Sequence, residues 1–156
     1  MTGLLHVLYN LILSLWVGGI AAFTFFITPV IFRSFGRDMA GQIVGRLFPG
    51  YFFSCLGLAA AALVLIVSLR SSMTHSAFKW SLALVLIALA ISLFTTFRLH
   101  PEIKRVKQEI HSFEALPGDA PARKAFRKLH ALSAMLNLLL LADGVALMVM
   151  STSMKT

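Results

Sequence analysis

The sequence is poor in charge, and poorest in acids. Only 13% of its 156 residues are charged, with six Asp or Glu against fourteen Lys or Arg. A soluble domain carries about a quarter charged residues, so an ordinary water-soluble fold is excluded. A single cysteine, Cys55, leaves no intrachain disulfide to form, and inside an apolar segment its thiol acts as a small hydrophobe. The chain lacks a nucleophile elbow, a phosphate loop, paired carboxylates and any Cys/His metal spacing. The expectation is a protein that is not an enzyme, with no cofactor and no metal site. The first thirty residues lack the basic start and short apolar run of a cleaved signal, which predicts a retained first span.

What the chain has instead is hydrophobicity. Apolar residues make up 58% of it and the mean hydropathy is +0.85. Crossing about 30 Å of hydrocarbon takes roughly 20 apolar residues in a helix. Four stretches qualify, about Leu4 to Phe32, Leu47 to Leu69, Lys79 to Phe97 and Leu129 to Met150. The predicted fold is all-α, an integral membrane four-helix bundle forming a single four-span domain over residues 1–156.

The net charge of +8 does not point to nucleic acid, because the basic residues flank apolar segments and form no basic domain of their own. Eleven Lys and Arg fall in the first and third connections, and three (Arg70, Lys79, Lys155) on the other side. The positive-inside rule then places both longer loops in the cytoplasm and both termini outside it, in a bacterial inner membrane. In the first loop, Asp38 is a plausible helix cap before Met39, Ile43, Val44 and Leu47, which predicts a short interfacial helix. In the second, Ile103, Val106, Ile110, Phe113 and Leu116 recur at helical spacing. The third and fourth spans are thus expected to extend into the cytoplasm as a helical hairpin.

Polar residues inside a span are costly and usually face protein. His6, Asn10, Ser14, Ala21, Thr24 and Thr28 share one side of the first span, and His130, Ser133, Asn137 and Gly144 one side of the fourth. Two such seams predict neighbouring helices, with Asn137 at the depth of Thr24, Ser54 and Ser92. Asp143 falls about 120° from Asn137 at 100° per residue, facing another helix or another subunit. His6 and His130 lie near opposite surfaces and cannot share one metal or haem; His100 and His130 lie at similar depth. Gly18, Gly19 and the Gly41–Gly45 pair suit close helix approach, and Trp16, Tyr51 and Trp80 suit interface anchors. Ser, Thr and Asn also serve as interhelical glue at about 0.6 kcal/mol per contact. The residues proposed for ligand binding are His130, Ser133, Asn137, Asn10 and Thr24.

The stretches LWVGGIAAFTFFITPVIFRSFGRDMAGQIVGRLFPGYF and FRKLHALSAMLNLLLLADGVAL resemble the transmembrane protein 205-like family, small four-span membrane proteins also catalogued as a bacterial domain of unknown function. The resemblance implies the four-span fold. It also implies a link to platinum-drug resistance through export or vesicle traffic, with His130, Ser133 and Asn137 at the matching positions. A cysteine-based relay finds little here beyond Cys55.

The resulting expectation is a protein that binds or transports a small solute or metal complex through the seam. Its partners would be the lipid bilayer and other copies in a homo-oligomer, with no nucleic acid. Two alternatives stay open: a haem- or metal-binding membrane redox protein, and a non-catalytic membrane interaction protein acting through the basic hairpin.

Overall fold

Backbone amides in hydrocarbon find no water, so a chain this apolar must satisfy them within helices. The computed structural model, which describes residues 2–153, does so with four: α1 (Thr2–Ser34), α2 (Arg37–Ser68), α3 (His75–Gln108) and α4 (Pro121–Ser153). Each is long and apolar enough to cross a membrane, and no strand occurs among the described residues. The protein is an all-α membrane helical bundle. At about 1.5 Å per residue each helix overshoots the hydrocarbon and carries polar turns beyond it. Lys155 lies outside the described residues.

Both α1 and α3 pack against α2 and α4, so the helices form a ring in chain order with α1 and α3 on one diagonal. The joins 35–36 and 109–120 lie at one end, here the basic end. The 3-10 turn Arg70–Ser72 lies at the other, the termini end, where Thr74 Oγ1 caps α3 by accepting from Ala77 N at 3.3 Å.

The expected hairpin is present: α3 runs on to Gln108 and α4 starts at Pro121. The separate interfacial helix is not. Its residues are the first turns of α2, which continues through Pro49 without a break, and the cap position is Gly36. Asp38 has another task. Its carboxylate accepts from Ser112 Oγ and from Phe113 N, both at 2.6 Å, and so pins the 109–120 loop over the start of α2.

Pro29 and Pro101 are each preceded by a π turn, Phe23–Ile27 and Thr95–Leu99. Proline lacks an N–H, and its ring collides with the carbonyl four residues back, Phe25 or Phe97. Widening that turn by one residue removes the collision. Thr28 N–H then bonds to Phe23 O, and His100 N–H to Thr95 O, five residues back. The two bulges share a sequence, Thr24-Phe25-Phe26-Ile27-Thr28-Pro29 and Thr96-Phe97-Arg98-Leu99-His100-Pro101.

Toward the termini end the bundle is solid. Tyr9, Leu13, Trp16 and Ile20 line the inner face of α1 and are fully buried or nearly so. They cluster with Cys55, Ala59, Ala62 and Ile66 of α2, whose small residues leave room for the large rings. Trp16 and Tyr51 are therefore interior residues and not interface anchors; Trp80, at 63% exposure, does face outward. Gly18 and Gly19 are exposed, and a Cβ on either would meet nothing within 4 Å. The close approach is made by Gly144, where a Cβ would come within 2.8 Å of Val17 Cγ2.

Candidate functional site

Three helices meet at the Asn137 side chain. Its Nδ2 donates to Thr24 Oγ1 at 2.8 Å, and its Oδ1 accepts from the Tyr51 hydroxyl. The Tyr51 ring stacks on Phe23, with centroids 4.2 Å apart, so the π turn of α1 supplies both the ring's platform and the threonine. An amide suits this position because it donates and accepts at once. Ser54 and Ser92, expected at this depth, take no part: Ser54 is exposed and bonds to Gly50 O, and buried Ser92 has no partner.

Asn10 belongs to a different tie at the termini end. Its Oδ1 accepts from Ser151 Oγ at 2.9 Å, while its Nδ2 bonds to His6 O. The Asn10–Ser151, Val17–Gly144 and Thr24–Asn137 contacts all keep one antiparallel register between α1 and α4. Continuing it one turn pairs Thr28 with Ser133. Both line a chamber of about 710 Å³ at the basic end.

This chamber begins one turn beyond the Thr24–Tyr51–Asn137 knot. Its aromatic wall includes Phe48 and Phe52, whose parallel rings lie 5.4 Å apart, and Phe126, which stacks on His130 at 5.7 Å. His100 lies against Phe52, ring centroids 5.2 Å apart. Four basic side chains, Arg37, Arg46, Lys104 and Lys107, complete the lining. Lys107 Nζ donates to Gly41 O at 2.5 Å and would lie 3.1 Å from a Cβ on Gly45. The Gly41–Gly45 pair thus admits a lysine, where a neighbouring helix was expected.

Of the five expected site residues, then, Thr24 and Asn137 are bonded to each other, His130 and Ser133 line the adjoining chamber, and Asn10 stands apart. His100 and His130 do share one chamber. Among the described residues no group of three or more His, Cys, Asp or Glu comes together. Asp143 is buried inside the bundle, close enough to Tyr9 of α1 for their charges to interact, so it faces another helix of the same chain. Tyr51 and the four chamber cations were not foreseen as site residues. The one available signal was the Gly41–Gly45 spacing facing a basic third span.

No curated protein and no solved structure matches the chain. Residues 11–112, about two thirds of the sequence and including the knot's Thr24 and Tyr51, match the family described as Domain of unknown function (DUF4149), and the chain belongs to that family.

Proposed function

We propose that the protein is a non-catalytic membrane carrier that takes a small solute into the basic-end chamber and passes it through the Thr24–Tyr51–Asn137 knot. One observation carries this reading: the chamber, of about 710 Å³, stops one helical turn short of a hydrogen-bonded knot linking three helices. Ligand sites commonly occupy about 300–1,000 Å³ and place a few polar groups in an otherwise apolar wall. Beyond the knot the packed core closes the path, so this is a state open at the basic end and shut at the other. Kinked or broken helices around a central site are a recurring feature of transporters, and both helices of one diagonal carry π turns here.

The lopsided Lys and Arg distribution supports a cytoplasmic basic end, termini outside, in a bacterial inner membrane. Four spans make a small carrier, and assembly of several copies belongs to the proposal. The similarity to the transmembrane protein 205-like family supports export as the direction. A metal complex is the less favoured cargo, because four cations surround the chamber.

Proteoliposomes loaded with labelled organic anions, cations and neutral solutes test the reading. Wild type should release at least one class, and Asn137→Ala should slow that release about fivefold, as losing roughly 1 kcal/mol of contacts would. No release of any class, or equal rates for wild type and variant, overturns it.

A further inference from the structure

We infer that the chamber binds an amphipathic anion, an acidic phosphate or carboxylate head carrying a hydrocarbon tail. This rests on the chamber being a binding site and names the ligand class it takes. Arg37, Arg46, Lys104 and Lys107 contribute four positive charges to the lining, and no Asp or Glu lines it among the described residues. The chain's acids are engaged or placed elsewhere. Asp38, the carboxylate closest in effect to Lys107, is already held by Ser112 and Phe113. Glu102 is paired with Arg105 at 2.5 Å, and Asp143 lies beyond the knot in the sealed half.

Like charges brought together without counter-charges repel, and the repulsion is relieved by an anion. Arg gives a planar fork and Lys a mobile point charge, the usual pair for a phosphate or carboxylate. A small inorganic anion would use only part of the space. The same chamber has an aromatic wall (Phe32, Phe48, Phe52, Phe126) and a volume of about 710 Å³, room for an apolar body beneath the charged head. The arrangement is polarised along the helices. Lys104 and Lys107 sit one and two turns beyond His100 toward the basic end, while Phe52 and Ser133 lie toward the knot. The head is held at the mouth and the tail points inward.

The full chain in phosphatidylcholine nanodiscs is titrated with dodecyl phosphate, inorganic phosphate and dodecyltrimethylammonium, with empty nanodiscs subtracted. Dodecyl phosphate should bind saturably, and at least tenfold more tightly than either other probe. Lys104→Gln with Lys107→Gln should weaken it about tenfold or more, Arg46→Gln less, and Lys79→Gln at the termini end not at all. Retained helical circular dichroism and a single elution peak confirm folding, and the exposed Arg46 gives a second variant should the double one unfold. Equal binding of inorganic phosphate, or indifference to the lysine pair, overturns the ligand class. Saturable binding of the cation that Gly45→Leu abolishes also overturns it, yet leaves the chamber a binding site. Binding of no probe overturns both readings. Adding phosphatidylglycerol to the nanodisc then assigns the source. Competition marks a membrane lipid and lack of competition a free single-chain anion, and each supports the shared chemistry.

Discussion

The two halves of the bundle use the same four helices to opposite ends. On the termini side of the knot, α1 offers Tyr9, Leu13, Trp16 and Ile20, all at 1% exposure or less, and the partner helices answer with alanine, cysteine and valine. On the basic side the same helices enclose a chamber whose lining is cationic and aromatic. The changeover occurs within one turn, at the π bulges and the Asn137 amide. Tight packing and an open site are thus neighbours along a single helix, and the local sequence decides which is formed: large and small residues interlocking, or glycine and charge holding space.

Substitutions should separate the halves sharply. Trp16→Ala should cost the most, about 3 kcal/mol or more, read as a lower midpoint in detergent-driven unfolding, because it empties a filled interior. Phe126→Ala, at a chamber wall already facing open space, should cost less than half as much; equal losses would erase the distinction between the halves. Next comes Gly144→Leu. Its new side chain has Val17 in its way, and about 1–3 kcal/mol should be lost in the same assay. Gly18→Leu meets nothing within the monomer and should stay within about 0.5 kcal/mol. A large loss for Gly18→Leu would mean that this face is covered in an assembly.

The knot should give the smallest effect on stability. A double-mutant cycle of Tyr51→Phe with Asn137→Leu should return a coupling of about 0.6 kcal/mol and no more than about 1.7, the range for hydrogen bonds between membrane helices. Zero coupling would break the knot as described.

The spans were legible in the sequence because length and hydropathy need no knowledge of neighbours. Their ends were less so: α2 begins ten residues before its apolar run, since a helix does not stop where lipid does. The Thr24–Asn137 partnership was legible too, because polar residues at helical spacing on two spans have few places to go. Ser14, placed on the same seam, is exposed, while Tyr9 and Trp16 take the interior. A hydroxyl costs little on a lipid-facing surface when its own helix can accept its proton, and a large ring gains most from packing. Tyr51 was misplaced because an aromatic near a span's end has two homes, the interface and the bundle, and only a partner such as Asn137 chooses between them. The chamber was invisible for a different reason. Its four cations come from two helices, and each group reads by itself as an ordinary positive flank.

One further consequence follows from the paired π turns. An α-helix transmits its angular phase without loss, so every side chain's bearing is set by those before it. A π turn holds one surplus residue and resets that bearing, which makes the basic ends of α1 and α3 rotationally independent of the sealed halves that precede them. Deleting a single residue within 23–27 would swing everything after it by about 100°. Thr28 would leave the chamber while Trp16 stayed in place. The bulges therefore act as splices between two sections of sequence, each free to be altered without re-aiming the other.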